Sequence, residues 1–451
     1  MDARQSAVLH RDLARVYPTI ARGEGIYLWD TEGRRYIDGS GGSAAVTAVG
    51  HAVPEIIAAM TEQASHVAYS PTHAFTTDAV EACARRIIED FAPPGFSRVW
   101  FVSGGSEATD NAVKMAIQYH RERGEGTRQV IIGRWQSYHG GTIAALAYGG
   151  NAARRAPYSG ILPHAEHIPA CHPYRCATCA DRGGCDLTCA DALDRTIRQI
   201  GRENVAAFLA EPVVGATLGA SPAAPGYFQR IREICDHHGV LFIADEVMSG
   251  FGRTGRNFAI EHWGVTPDLI TAAKGIAGGY TPLGAVIARP EFVSELASRG
   301  KSFVIGHTSS CNPLSCAVGS AVMQYISEKK LVEHAAIVGA HFHRGLRSLA
   351  DRHPIIGDVR GMGLLAGVEL VADRDTKRPF PVAWGVGKRV GAATLERGLI
   401  SYPGAGSADG VSGDHLLYAP PLISTEAQVD EMLAILDESL TAVASEISQL
   451  S

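Results

Sequence analysis

The sequence predicts an α/β protein: a mostly parallel central sheet flanked by helices, with a smaller α+β domain. Three observations predict it. Short apolar runs alternate with helical patterns up to about residue 330, and those runs are apolar on both faces, as strands covered by helices on both sides must be. Beyond residue 330 the alternation gives way to a long helical stretch and hairpin-like strands. A chain of 451 residues is long enough for a large domain and a satellite.

Taken in order, the opening 50 residues, with "IYLWDTEGRRYIDGSGG", read as a hairpin packed beside the smaller domain. Sheet strands are expected in "RVWFVS" (98–103), "QVIIG" (129–133), "VAAFLAEP" (205–212), "VLFIADEV" (240–247), "PDLITAAK" (267–274) and "GAVIAR" (284–289). Between them, segments such as "EATDNAVKMAIQYHRER" and "PGYFQRIREICDHHG" repeat apolar residues at three and four, the period of a helix with one buried face. Later, "IIGDVRGMGLLAGVEL" reads as hairpin strands, 385–397 as a helix, and "LLYAPPLIS" leads into a terminal helix. The division expected is an N-terminal segment over 1–50, a large α/β domain over 51–329 with an insertion at 171–189, and a small α+β domain over 330–451.

Composition narrows the partners. With 46% hydrophobic and 20% charged residues and a net charge of -6, nothing argues for nucleic acid or an anionic membrane. The first 30 residues show no apolar core of secretory type and no run of ~18 apolar residues occurs anywhere, so a cytoplasmic location is expected. Five of nine cysteines crowd together: Cys171, Cys176, Cys179, Cys185 and Cys189. The C-x2-C pair with His172 nearby suits the start of a zinc site, yet the paired knuckles of a structural site are missing. Zinc, a disulfide within the loop and unliganded thiols all stay open, and no metal ligand is assigned. A non-catalytic metal or redox protein is the function that corresponds to this cluster.

The segments "GGSE", "YHGG", "EPVVG", "DEVMSG" and "AKGIAGG" follow strands, and in a parallel sheet ligands bind beyond the carboxyl ends of strands, so these five converge on one cleft. Asp245 ends an apolar run, where a buried carboxylate costs several kcal/mol unless something compensates it. Lys274 ends "DLITAA" and precedes a glycine-rich loop, which makes it a candidate Schiff-base nucleophile. Each has a bland alternative: Lys274 as a surface lysine, Asp245 as a cap on the next turn. Together they are what pyridoxal phosphate requires, an amine for its aldehyde and an acid for its ring nitrogen. In "SGGSEATDNAVKMA", Gly105 and Ser106 lie at a helix start that either cradles a phosphate or forms an ordinary N-cap. Tyr138, in "SYHGG", either stacks on a pyridine ring or fills core, with His139 beside it. Glu246 points away from Asp245 and reads as structural, whereas alternation along the strand puts Val247 on Asp245's face. "GMGLLAG" has the wrong spacing for a dinucleotide loop and reads as tight strand packing.

The ordered set "SGGSEATDNAVK", "YHGGT", "EPVVG", "DEVMSGFGRTG", "DLITAAKGIAGGY", "GHTSSCNPLSCA" and "VRGMGLLAGVEL" resembles the class III aminotransferases, pyridoxal-phosphate enzymes of fold type I, over roughly residues 20 to 440. The resemblance implies that Lys274 is the aldimine lysine and Asp245 the acid on the pyridine nitrogen. It implies that Gly105 and Ser106 bind the phosphate, Tyr138 and Val247 flank the ring, and His139 supports them. Glu211 matches an acid near the substrate amine. Thr308 matches a threonine that reaches the neighbouring subunit's cofactor, so a homodimer is implied. The implied activity carries an amino group from an amino acid, ω-amino acid or primary amine to a 2-oxo acid such as pyruvate or 2-oxoglutarate, by way of a pyridoxamine form. A lyase, racemase or aminomutase of the same fold is the alternative.

Two positions depart from the family pattern. Met248 stands where many ornithine- or aminobutyrate-handling members have a glutamine, which tilts the resemblance toward the ω-amino acid and amine branch. No arginine occurs in residues 400–423, where the family often places one for a substrate carboxylate. Tyr402 and His415 are the polar candidates left there.

Overall fold

The computed structural model describes residues 2, 5–176 and 185–450. Near the N-terminus, β1 (Ile20–Glu24), β2 (Tyr27–Asp30) and β3 (Arg35–Ile37) form an antiparallel sheet, one strand more than the expected hairpin. It packs against distant chain: Ile37 N–H donates to the Gly398 carbonyl (2.7 Å), Ile400 N–H to the Ile37 carbonyl (2.9 Å), and Arg35 pairs with Glu431.

The central sheet takes β4 (Arg98–Val102), β5 (Val130–Arg134), β6 (Glu166–Ile168) and β7 (Val205–Ala210). After the two-residue strands β8 (Val213–Val214) and β9 (Ser221–Pro222), it adds β10 (Leu241–Asp245), β11 (Leu269–Ala272) and β12 (Gly284–Ala288). The seven strands lie in the order β4-β12-β11-β10-β7-β5-β6. β10 is parallel to β7 and β11, and β5 to β6 and β7, while β12 runs against both its neighbours. The reversal has a local cause. A parallel return needs a crossover of a dozen or more residues, usually a full helix, but residues 273–283 between β11 and β12 fall just short of that and hold only the single helical turn Lys274–Ala277.

Both faces of the sheet are covered. In β10, Phe242 and Ala244 belong to one apolar layer and Ile243 to the other, where the helix Gly105–Glu122 packs through Ala108, Ala112 and Ala116. The expected strand 240–247 stops at Asp245, because the chain turns immediately: Val247 N–H folds back onto Asp245 Oδ1 at 3.0 Å. Val247 is therefore placed by a turn, not by strand alternation.

Glu246, buried beside this turn, accepts from Ser249 Oγ (2.5 Å) and Ile260 N–H (2.7 Å). Burial outweighs these bonds and pushes its carboxyl up to about 7. A raised carboxyl pKa stabilises the fold fully below the unfolded value and loses that contribution as pH rises through the folded one. Glu246→Gln keeps one acceptor for Ile260 N–H and offers an amide to Ser249. Its melting temperature should approach wild type near pH 5 and exceed it at pH 8.5, a widening of about 2–3 kcal/mol in stability. A variant that loses stability equally at both pH values would contradict the assignment.

Downstream, β13 (Ile356–Met362), β14 (Leu365–Leu370), β15 (Tyr402–Ala405) and β16 (Asp414–Tyr418) form an antiparallel sheet in the order β13-β14-β16-β15, accompanied by the helices Leu331–Arg352, Val386–Glu396 and Glu426–Ile447. The "GMGLLAG" stretch is the tight hairpin expected: a Cβ on Gly367 would stand 1.9 Å from the Gly219 carbonyl oxygen.

In the cysteine insertion, Cys171 is buried, accepts from Ala224 N–H at 3.3 Å and shares a thiol hydrogen bond with Cys189. Cys179 lies outside the described residues. His172 turns to Glu369 (3.8 Å) across to β14 rather than to the thiols. Among the described residues no group of three or more His, Cys, Asp or Glu is placed to hold a metal, and no helix is long and apolar enough to cross a membrane.

Candidate active site

The carboxyl ends of β5, β7, β10 and β11 open onto a cavity of about 260 Å³. Gly105, Ser106, Tyr138, His139, Glu211, Asp245, Val247 and Lys274 all line it, so every predicted site residue but one meets there. Thr308 is the exception. It sits on a loop outside the cavity of its own chain, its carbonyl held by the Tyr69 hydroxyl at 3.0 Å. A larger cavity of about 610 Å³ lies elsewhere, beside Arg85 and Trp100, and its charged lining of two arginines and two glutamates balances, with no lysine.

Asp245 is positioned by the end of its strand and anchored on both oxygens. Its Oδ1 accepts from Val247 N–H, and its Oδ2 accepts from His139 Nδ1 at 2.7 Å. His139 sits in a loop tied to the helix Gly105–Glu122, since Thr109 Oγ1 donates to its carbonyl (2.9 Å) and Gly141 N–H donates to Ser106 Oγ (2.9 Å). The first turn of a helix leaves backbone N–H groups without intrahelical acceptors and carries the positive end of its dipole. Gly105 and Ser106 bring that turn to the cavity wall. Only glycine fits at 105, where a Cβ would meet Val247 Cγ1 at 2.8 Å.

Lys274 opens its short helical turn in the left-handed region (φ 50°), a strained setting for a side chain outside glycine, and one that clusters at functional sites. Burial lowers its amine to about 8, while Asp245 and Glu211 pull the other way. Glu211, also buried, is raised to about 7 by desolvation, and it accepts weakly from Tyr138 N–H at 3.5 Å. The cavity thus brings together a lysine whose amine is held below its usual range and two buried acids, Asp245 and Glu211.

Of the two polar candidates in the C-terminal loop, Tyr402 lines the cavity and His415 does not. His415 is buried behind it, bound to the Ala216 carbonyl at 2.9 Å and lowered to about 4 by burial. Met248 does line it. Sequence reasoning missed Arg11, Ser43, Ala44 and Arg154, which also line the cavity. Nothing in the local pattern marks them, because each arrives from a loop or a helix too short to have a period.

The residues fit pyridoxal phosphate on grounds visible here. The helix start suits a phosphate, an aromatic ring and a valine line the same cavity as the lysine, and an anchored carboxylate suits a protonated ring nitrogen. His139 Nε2, buried without a partner, marks a polar group still to be satisfied at this site.

Comparison with known proteins agrees. The family model described as aminotransferase class-III matches residues 9–440. The uncharacterized aminotransferase YodT of Bacillus subtilis is 35% identical, covering 97% of this chain and 98% of the relative. The putrescine–pyruvate aminotransferase of Pseudomonas aeruginosa is 34% identical over 94% of this chain and 91% of its own length. Among solved structures, the ω-transaminase of Pseudomonas jessenii in complex with PMP superposes with a TM-score of 0.88 at 30% identity, over 96% of this chain and 94% of that one. The chain belongs to the class III aminotransferases, enzymes that use pyridoxal phosphate.

Proposed function

We propose that this aminotransferase moves an amino group from an ω-amino acid, an amino acid or a primary amine to pyruvate or 2-oxoglutarate, with Lys274 and Asp245 as its catalytic pair. One observation carries the reading: a lysine lowered to about 8 shares a cavity with a carboxylate fixed by His139 at the end of the neighbouring strand. Pyridoxal phosphate, when bound, supplies an aldehyde for the amine and a ring that draws electrons from the substrate carbon. The chain supplies the rest. Lys274 Nζ removes the proton from the carbon bearing the amine, and its lowered pKa leaves a useful share of free base near neutrality. Asp245 holds negative charge at the cavity floor, and His139 fixes its orientation. Gly105 and Ser106 would hold the cofactor's phosphate, while Tyr138 and Val247 would shield its ring from water. Glu211, on the wall of the same cavity, would receive the incoming amine.

Met248 at the wall, and the P. aeruginosa relative named for putrescine and pyruvate, support an amine or ω-amino donor over ornithine-type substrates. The reading includes a cytoplasmic homodimer in which Thr308 of each chain reaches the cofactor of the other. Its support is the position of Thr308 outside its own cavity. The test is a panel of donors (putrescine, β-alanine, benzylamine, L-alanine) against pyruvate and 2-oxoglutarate, followed by the cofactor spectrum and by amino-acid product. Ammonia release without an amino-acid product would replace the reading with a lyase.

The lysine makes a second measurable statement. Pyridoxal phosphate added to apoprotein should be taken up at a rate that climbs with pH and is half-maximal near 8, because only the unprotonated amine attacks the aldehyde. An ordinary lysine would put the midpoint above ~10. A midpoint there in stopped-flow absorbance would show that Lys274 is not the reacting group.

A further inference from the structure

Every 2-oxo acid presents a carboxylate beside its carbonyl, and a carboxylate leaves water for a cavity only if a cation or several hydrogen bonds receive it. The C-terminal loop that faces this cavity, "SYPGAGSADGVSG", has no cation to offer. The cavity lining contains three: Arg11, Arg154 and Lys274. Lys274 has its own work. Arg11 makes no hydrogen bond or ion pair among the described residues, so none of them fixes its charge in direction.

Arg154 differs from both. Its guanidinium carbon stands 4.4 Å over the ring of Tyr138, and its Nη2 donates to the Tyr402 hydroxyl at 3.3 Å. Both partners line the same cavity, so the charge is aimed by two groups of the site itself. Among the described residues no carboxylate lies within 4.0 Å of it, in contrast to Arg232 with Asp268 (2.7 Å) or Arg360 with Asp358 (2.9 Å). The adjacent Arg155 is consumed by structure: its Nη1 donates to the carbonyls of Ala147 and Gly149. Of two successive arginines on one short turn, the first therefore keeps an uncompensated charge facing the cavity. Glu211 and Asp245, the cavity's acids, are buried and already engaged by Tyr138 N–H and by His139.

We propose that Arg154 binds the acidic group of the substrate, a carboxylate or sulfonate, and thereby determines specificity in place of an arginine in the C-terminal loop. The proposal rests on the transamination reading above and deepens it. The Tyr402 hydroxyl accepts from one arm of the fork, and the Tyr138 ring lies against the guanidinium. The acid is carried by the 2-oxo acid acceptor, by an amino-acid donor, or by both in turn, since the two half-reactions share one cavity.

The test uses holoenzyme with Arg154→Gln and Arg154→Lys. Maleate, which carries carboxylates and no reactive amine or ketone, is titrated against the visible cofactor band to give a dissociation constant. Michaelis parameters are measured for pyruvate, and single half-reactions are followed with β-alanine and with benzylamine. Arg154→Gln should weaken maleate binding and raise KM for pyruvate about 30-fold, the scale of a lost charge-assisted contact, with kcat shifting by no more than about threefold. The benzylamine half-reaction should move by no more than about threefold, and Arg154→Lys should recover part of the loss. A KM change confined to β-alanine or to pyruvate identifies whose acid is bound, and either supports the proposal. Unaltered maleate binding in Arg154→Gln, or a benzylamine rate that falls in step with pyruvate, would overturn it. A wild-type protein that transaminates nothing yet binds maleate through Arg154 would instead overturn the transamination reading and leave acid recognition standing.

Discussion

Lys274→Ala will fold, bind pyridoxal phosphate without a covalent link, and turn over at least about ten-thousandfold more slowly than wild type with any donor. Two losses combine. On the proposed assignment, the variant lacks both the amine that would bond the cofactor's aldehyde and the base that would carry the proton at the substrate carbon, a role worth 10²–10⁴-fold by itself. Among the described residues the other bases at the cavity already have partners: His139 is tied to Asp245, and Glu211 accepts from Tyr138 N–H. Alanine is no more strained than lysine at φ 50°, so stability should change little. Borohydride reduction followed by mass spectrometry supplies a readout free of turnover, since it should attach the cofactor to Lys274 in wild type and to nothing in the variant. Added methylamine should restore part of the proton transfer. Covalent labelling of a different lysine, or turnover within a hundredfold of wild type, would remove Lys274 from its assigned place.

Much of this site was legible because it lies on regular structure. Asp245 and Lys274 each follow an apolar run whose strand ends at the sheet's carboxyl edge, and strand ends are readable from hydrophobic pattern alone. Gly105 and Ser106 follow the same logic at a helix start. What the hydrophobic pattern does not record was decided by turns and by tertiary contact. Val247 faces the cavity through a turn that folds onto Asp245, and the reversal of β12 follows from the short return after β11, which no apolar periodicity records. Arg154 was invisible for a different reason: it is one of two identical neighbours, and only the three-dimensional structure shows that Arg155 turns to backbone carbonyls while Arg154 turns to Tyr138 and Tyr402. His415 shows the converse. Its position in the right loop made it a candidate, yet its side chain is buried on the Ala216 carbonyl, behind the cavity wall.

Asp245→Asn should separate the acid's two effects by moving them in opposite directions. Asparagine nearly preserves the shape, but it offers one acceptor oxygen where His139 Nδ1 and Val247 N–H now use two, and it carries no charge. A neutral amide does not hold a proton on the pyridine nitrogen, so electron withdrawal from the substrate carbon weakens, and turnover should fall about a thousandfold, the scale of losing one preorganised electrostatic partner. The lysine responds the other way. Asp245 is the largest of the influences that raise the Lys274 amine against burial, so removing its charge drives the amine below 8. Cofactor uptake by the Asp245→Asn apoprotein should then reach half its maximal rate at a lower pH than in wild type, and should be faster at pH 7, while catalysis collapses. Glu211 should ionise more readily as well, since Asp245 now helps to raise it. A simple structural defect would slow uptake and turnover together. A faster uptake beside a thousandfold slower turnover is the signature of a carboxylate whose charge, more than its shape, makes the site work.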